Sequence, residues 1–162
     1  MARSKGSSGR TPAATLASWL AWAALVVLID QLTKALIVRG LRLGDRKAIV
    51  ENWFDLTLAY NKGAAFSFLA GADGWQRWFF VAIAVAAAGF IVSLLARHGG
   101  QRLFAFGLAS ILGGAVGNLI DRILRGQVVD FLLAHHAGWY FPAFNVADAS
   151  ITLGAGVLIL DE

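Results

Sequence analysis

Two aspartates in apolar surroundings are the residues of this chain with the clearest potential for chemistry. Asp148 lies near the predicted start of a helix, with no lysine or arginine within one helical turn. Asp130 lies in an apolar segment between the third and fourth predicted helices. If those helices pack antiparallel, the segment that joins them can place Asp130 beside Asp148. Two carboxylates in a low-dielectric site share one proton, so one can act as a base on water and the other as an acid toward a leaving amine.

Each aspartate also has a structural interpretation that needs no reaction. An acid in the first turn of a helix is stabilised by the helix dipole, which is sufficient to explain Asp148. Asp130 taken alone is an ordinary loop aspartate. The spacing by itself leaves both interpretations open.

Four further charges fall in or at the ends of apolar helices, where each costs about 2.5–3.5 kcal/mol unless it has a partner or a function. Asp30 and Lys34 are one helical turn apart and can form an ion pair. Asn118, Asp121 and Arg122 share one helix face and can satisfy one another locally. Local pairing is the structural interpretation of both groups.

Several other reaction types lack the residues that they require. The chain has no cysteine, which removes thiolate nucleophiles, disulfides and cysteine-bound metals. Its histidines, His98, His135 and His136, form no HExxH pattern, and neither a GxSxG nor a GxGD pattern occurs. Lys34 is a poor base for a serine–lysine dyad, because Asp30 would hold it charged. We therefore expect chemistry that uses no metal and no cofactor.

The composition indicates what kind of protein must position these side chains. Of the 162 residues, 58% are hydrophobic before glycine is counted, and only 15% are charged. Soluble proteins reach about 45–50% with glycine included, and a soluble chain of this size cannot bury so much apolar surface. Disordered chains are poor in apolar residues. The sequence thus predicts an integral membrane protein, whose net charge of +4 favours anionic lipid headgroups over nucleic acid as the partner.

Four apolar segments predict an all-α membrane protein with four transmembrane helices. We expect spans at about 15–38, 76–97, 103–123 and 142–160, in a single domain of residues 15–160 that follows a tail of residues 1–14. The first span is too long for a removable targeting segment and lacks its cleavage site. Charge counting leaves the orientation open, because more Lys and Arg lie beside the long loops than beside the termini. Gly113–Gly117 contains a GxxxG pattern, which is typical of helix packing.

The loop between the first two helices predicts a small β-unit. Phe54–Asn61 alternates apolar and polar residues, Asn61–Gly63 is a turn, and Phe66 and Phe68 resume the alternation. We expect this amphipathic unit to lie on the membrane surface. Aromatic residues beside the first and last long loops fit an interfacial belt on one side of the membrane. They are Trp53, Trp75, Trp78, Trp139 and Tyr140.

Five short motifs follow one another along the chain. They are DQLTK at 30–34, YNKGAAF at 60–66, GGAVGNLIDR at 113–122, VVDF at 128–131 and FNVAD at 144–148. In this order, and within four apolar segments, the series closely resembles the bacterial lipoprotein signal peptidase family, also called signal peptidase II. The resemblance extends over nearly the whole chain, from about residue 15 to 160.

The resemblance implies a four-helix aspartyl endopeptidase of the bacterial inner membrane. Both termini would be cytoplasmic, and the β-unit, the long loops and the active site would lie at the periplasmic face. The substrate would be a prolipoprotein with diacylglycerol on its cysteine, and the enzyme would cut on the N-terminal side of that cysteine. Membrane phospholipid would be the other partner, and we expect a monomer. Because the chain ends at Asp161–Glu162 without a basic tail, we also expect a short C-terminus.

The resemblance also implies a role for individual residues. Asp130 and Asp148 match the catalytic pair of the family. Residues that would line the site or support its geometry are Asn61, Gly63, Asn118, Arg122, Asn145, Asp30, Lys34 and Asp121.

Two other functions remain open. In a small proton-coupled transporter Asp30 or Asp148 would titrate, although such acids usually lie near the membrane midplane. In a non-catalytic assembly factor the GxxxG face would make the helix contacts, and Asp130 and Asp148 would have no role. Transport in proteoliposomes would identify the first function. Loss of assembly in Gly117→Leu with catalysis intact would identify the second.

Overall fold

The computed structural model describes residues 11–63 and 74–161, and this part of the chain forms four helices and four strands. In chain order they are α1 (Pro12–Gly40), β1 (Arg46–Val50), β2 (Phe54–Asn61), α2 (Trp75–His98), α3 (Arg102–Arg125), β3 (Val128–His136), β4 (Trp139–Tyr140) and α4 (Val146–Leu160). The N-terminal residues 1–10 and the predicted strand positions Phe66 and Phe68 lie outside the described residues.

Within the described ranges, α1, α2 and α3 are long and apolar enough to cross a membrane. Their bounds lie within a few residues of the predicted spans. Thr11 caps the start of α1, because its Oγ1 accepts a hydrogen bond from the Ala14 N–H at 3.3 Å. Pro12 occupies the first helical position, where no backbone N–H is needed.

The fourth helix is shorter than the predicted span, with 15 residues, and it begins at Val146 instead of about 142. The residues before it are extended because they pair with a strand that is distant in the sequence. Phe144 exchanges backbone hydrogen bonds with Leu132 of β3 at 2.8 and 2.9 Å. Asn145 then ends the extended segment and caps the helix.

The β-unit is confirmed for β2, but it is larger than predicted. One antiparallel sheet joins the strands in the order β1-β2-β3-β4. Among the described residues, β1 and β2 lie between α1 and α2, whereas β3 and β4 lie between α3 and α4. The prediction was incomplete because β2 and β3 are far apart in the sequence, and local alternation does not reveal such a pairing. Asp130, which was predicted in a loop, lies in β3.

Helix α3 packs closely against α1 and α4 at positions where one of the two helices has a glycine. A Cβ added to Gly113 would lie 2.6 Å from the Cβ of Val26 in α1. A Cβ added to Gly154 of α4 would lie 2.5 Å from the carbonyl oxygen of Gly107 in α3. The packing role predicted for the GxxxG pattern is confirmed. This contact of α3 with α4 brings β3, which follows α3, beside the start of α4.

Candidate active site

Asn145 joins Asp130 of β3 to Asp148 of α4, and we call these two aspartates the acid pair. The Nδ2 of Asn145 donates to Asp130 Oδ1 at 2.7 Å. The Oδ1 of Asn145 accepts from the Asp148 N–H at 2.9 Å, and Asp148 Oδ2 accepts from the Asn145 N–H at 3.3 Å. The last two bonds form a reciprocal capping box at the start of α4. One side chain thus links a strand residue and a helix residue at the acid pair.

Asn118 of α3 provides a second amide to the pair. Its Nδ2 donates to Asp148 Oδ1 at 2.8 Å. Its Oδ1 accepts from Lys34 Nζ at 3.0 Å and from Asn145 Nδ2 at 3.2 Å. Because Lys34 can only donate, the amide of Asn118 must turn its oxygen toward the lysine and its N–H toward Asp148.

Asn61 reaches Asp130 from the end of β2. Its side chain donates a hydrogen bond to the Asp130 carboxylate. Its Oδ1 accepts from the N–H of Gly63 at 2.8 Å. Gly63 has a φ of +91°, in the left-handed region that favours glycine. The turn after β2 therefore orients an amide that contacts Asp130.

Asp30, Lys34 and Asp121 form a buried ion cluster next to the pair. Lys34 Nζ lies 2.7 Å from Asp30 Oδ2 and 2.9 Å from Asp121 Oδ2, and all three side chains are 0% exposed. The ion pair predicted from the Asp30–Lys34 spacing is confirmed. Arg125 also pairs with Asp121. Two acids therefore face two cations, which compensates for much of the cost of burying the charges.

The two aspartates of this cluster also hold the backbone beside the acid pair. Asp30 Oδ1 accepts from the Ala147 N–H at 2.9 Å. Asp121 Oδ2 accepts from the Val129 N–H at 3.1 Å. Ala147 and Val129 immediately precede the two aspartates of the pair. The ion cluster thus fixes the backbone at both positions.

Arg122 of α3 lies beside the acid pair. Its Nη1 donates to the carbonyl oxygen of Asn118 at 3.4 Å. Its positive charge acts on Asp148 and on Asp130. Its guanidinium also lies over the ring of Phe80 in α2, with 5.4 Å between Cζ and the ring centroid.

The two members of the pair have different environments. Asp130 is 3% exposed, whereas Asp148 is half-buried. Burial, followed by the charge of Asp148, raises the pKa of Asp130 to about 6, although hydrogen bonds from Asn61 and Asn145 and the charge of Lys34 act to lower it. The site therefore offers one carboxyl group that retains a proton closer to neutral pH beside a more accessible one. This combination suits acid–base catalysis on an amide bond.

The structure brings every residue predicted for the site into one connected set of contacts. Three further participants were not predicted. Gln31 donates to the Gly117 carbonyl at 3.1 Å, Arg125 pairs with Asp121, and Phe80 lies under Arg122. Two of them could have been found from the sequence. Gln31 is adjacent to Asp30, and Arg125 lies one helical turn after Asp121. Phe80 is one of 11 phenylalanines, and no sequence signal distinguishes it.

Residues 11–63 and 74–161 contain no group of three or more His, Asp or Glu side chains that could hold a metal ion. Apolar helices of membrane-spanning length and two adjoining aspartates define the class of this protein. It is a membrane protein with an acid pair held by amides at the junction of a sheet and a helix.

Comparisons with known proteins agree with this class. The profile of the family described as "Signal peptidase (SPase) II", Peptidase_A8, matches residues 22–162. A lipoprotein signal peptidase of Ralstonia nicotianae is 58% identical over 144 residues, which cover 89% of this chain and 83% of the relative. Another from Cupriavidus necator is 52% identical over 161 residues, which cover 99% of this chain and 91% of the relative.

Two solved structures, each described as a bacterial membrane enzyme determined by the in meso method, are similar to this fold. The one at 2.3 Å resolution has a TM-score of 0.79 and 31% identity, and the match covers 89% of this chain and 86% of that one. The one at 1.9 Å resolution has a TM-score of 0.80 and 30% identity, with 89% and 91% covered. The chain belongs to the signal peptidase II family. It is a bacterial membrane protein and an aspartic endopeptidase by family.

Proposed function

We propose that this chain removes the signal peptide from diacylglyceryl-modified prolipoproteins, cutting on the N-terminal side of the lipidated cysteine. Membership of the family supports the coarser activity, removal of signal peptides from lipoproteins. The single observation that carries the mechanism is that the side chain of Asn145 forms hydrogen bonds with both Asp130 and the backbone N–H of Asp148. This side chain holds an aspartate of β3 and an aspartate of α4 at one site, and neither carboxylate forms an ion pair with a described residue.

In the proposed reaction the acid pair starts with one proton, held by Asp130, whose pKa is raised to about 6. Asp148 accepts a proton from water while the water oxygen attacks the carbonyl carbon that precedes the cysteine. Asp130 gives its proton to the carbonyl oxygen, so that a neutral diol forms. The C–N bond then breaks, Asp148 passes its proton to the cysteine nitrogen, and Asp130 recovers a proton from a hydroxyl of the diol.

Arg122 and Asn61 would hold the substrate backbone next to the pair. An arginine beside the carboxylates can donate a charge-assisted hydrogen bond to a substrate carbonyl. The amide of Asn61 already contacts Asp130 and lies at the end of an exposed turn. Both groups would act on the backbone, which suits an enzyme that cuts many sequences.

We also propose that four helices span the bacterial inner membrane, with both termini in the cytoplasm and the site near the periplasmic face. Helix α4 has 15 residues, which is about 22 Å at about 1.5 Å per residue, so it needs the extended segment 141–145 to complete a hydrocarbon core of about 30 Å. Such backbone is tolerated at membrane depth when protein partners satisfy it, and Phe144 has partners in β3. The protein would be a monomer surrounded by phospholipid.

The test compares two forms of one prolipoprotein, with and without diacylglycerol on the cysteine, incubated with the purified chain in detergent. We expect cleavage of the modified form alone, and mass spectrometry of the product should find the lipidated cysteine at its N-terminus. Equal cleavage of both forms, or a product that begins at another residue, would contradict the proposal.

A further inference from the structure

Phe80 of α2 contacts two parts of the site, one in α3 and one in the turn after β2. The guanidinium of Arg122 in α3 lies over its ring, with Cζ 5.4 Å from the centroid. The turn after β2 also meets the ring, since a Cβ added to Gly63 would lie 2.5 Å from Phe80 Cε2. The Phe80 side chain is half-buried. Gly63 must therefore lack a side chain for a second reason besides its positive φ.

Each partner of Phe80 interacts with the acid pair, either itself or through one further residue. Arg122 acts through its charge on both carboxylates of the pair. Gly63 donates its N–H to Asn61 Oδ1 at 2.8 Å, and the side chain of Asn61 donates to Asp130. The ring thus contacts both the arginine of α3 and the asparagine turn of the sheet.

The helix that carries Phe80 is itself fixed to α3 at this point. Arg77, three residues earlier and on the same helix face, donates to the carbonyl oxygen of Ile123. That carbonyl belongs to the last turn of α3, where carbonyl groups lack partners within the helix and a cation is favoured. The position of the ring relative to Arg122 is therefore defined by a contact that does not involve the acid pair.

We infer that Phe80 is a positioning residue for peptide cleavage, holding Arg122 and the Asn61–Gly63 turn in place at the acid pair. This inference rests on the proposed function. The ring attracts the guanidinium through its negative face and supports the glycine turn through its edge. A leucine fills similar space but has no such face, whereas a tyrosine keeps it.

The experiment measures kcat and KM for the purified full chain in detergent with a diacylglyceryl-modified prolipopeptide. The variants are Phe80→Leu, Phe80→Tyr and the matched control Phe90→Leu, which makes the same change on the same helix at a residue that is 65% exposed. We expect Phe80→Leu to lower kcat about 3- to 10-fold, the size of one cation–π contact. KM should change less than kcat, because the ring itself is not proposed to touch the substrate. Phe80→Tyr should restore most of the rate, and Phe90→Leu should match the wild type.

The outcomes separate this inference from the proposed function. A folded wild-type chain that cleaves nothing would overturn the proposed function and the inference with it. An active wild type with equal kcat in Phe80→Leu and Phe90→Leu, or a Phe80→Tyr variant as slow as Phe80→Leu, would overturn the inference alone. Thermal melting checks folding. If Phe80→Leu does not fold, Phe80→Met takes its place, since it is similar in volume and also lacks a ring.

Discussion

At the scale of the residue, the side-chain amides of two asparagines determine which hydrogen bonds the acid pair receives. Asn118 must point its oxygen at Lys34, so its N–H reaches Asp148. Asn145 accepts from the backbone of α4 with its oxygen, so its N–H reaches Asp130. Each aspartate thereby receives a hydrogen bond from a neutral amide, and within residues 11–63 and 74–161 no cation lies at hydrogen-bond distance from either. Neutral donors leave a carboxylate able to gain and lose a proton, which a close ion pair would oppose.

The first prediction concerns the dependence of cleavage on pH. Because the pKa of Asp130 is raised to about 6, the singly protonated pair is lost as the pH rises above that value. The kcat/KM of the wild type should therefore fall above about pH 6, approaching about tenfold per pH unit. Bound substrate excludes water from Asp130, so the decline in kcat alone should occur at higher pH.

Initial rates between about pH 5 and about pH 9 test this prediction. The exposed Asp45 offers a control, since Asp45→Asn should leave the profile unchanged. A kcat/KM that stays constant, or rises, over that range would mean that Asp130 does not supply a proton in the free enzyme.

The residues of the site could be identified from the sequence for a physical reason. Charges at membrane depth are costly, so Asp30, Lys34 and Asp121 are conspicuous, and the family motifs add the asparagines. The hydrogen bonds between these residues could not be derived from the sequence, because the orientation of each amide depends on donors from other helices and strands. The role of Asn145 as the link between the aspartates is one such case. The contact of Phe80 with Arg122 is another, since nothing in the sequence around Phe80 distinguishes it.

At the scale of the element, the site depends on how closely α4 approaches α3. The predicted helices agree well with α1, α2 and α3, because long apolar runs are a strong signal. The start of α4 and the partners of β2 were not predictable in this way. Both depend on β3, which pairs with β2 on one side and with Phe144 on the other. These are long-range contacts that no local pattern encodes.

The second prediction uses two glycines of α4 that differ in their surroundings. A Cβ on Gly154 would lie 2.5 Å from the Gly107 carbonyl oxygen and 2.7 Å from Ile111 Cγ1, whereas one on Gly156 would meet nothing within 4 Å. Gly154→Ala should therefore push α4 away from α3 and destabilise the protein by about 1–3 kcal/mol. It should also lower kcat, because Asp148 moves with the helix.

Gly156→Ala is the matched control, made in the same helix two positions away. It should be neutral or should stabilise the helix by up to about 1 kcal/mol, since glycine is a poor helix former. Thermal melting in detergent and cleavage rates for both variants test the pair. Equal melting temperatures would show that the close approach of α3 and α4 does not matter for stability.

At the scale of the whole molecule, the proposed topology places the sheet and the loop between α2 and α3 on opposite sides of the membrane. The chain contains no cysteine, so single cysteines can be introduced on a clean background. Lys47 is exposed on β1, and Gly100 is exposed in the loop between α2 and α3. A membrane-impermeant maleimide reports which of these positions faces the periplasm.

The third prediction is that Lys47→Cys reacts in cells whose outer membrane alone is permeable. Gly100→Cys should react only after the inner membrane is opened. A Cβ at Gly100 would meet nothing within 4 Å, so this substitution should not disturb packing. Labelling of both positions from the same side would contradict the proposed topology, and labelling of Gly100→Cys alone would reverse it.

We propose that Asp130 and Asp148 act together to cleave the peptide bond. The most direct test is cleavage of a diacylglyceryl-modified prolipoprotein by the wild type, Asp130→Asn, Asp148→Asn and the control Asp45→Asn, each with and without EDTA. Near-ultraviolet circular dichroism should show that all four chains are folded. We predict that the wild type and Asp45→Asn cleave equally in both conditions and that each variant of the acid pair has lost at least about a thousandfold in rate. Substantial cleavage by folded Asp130→Asn or Asp148→Asn would mean that the replaced aspartate is not needed for cleavage.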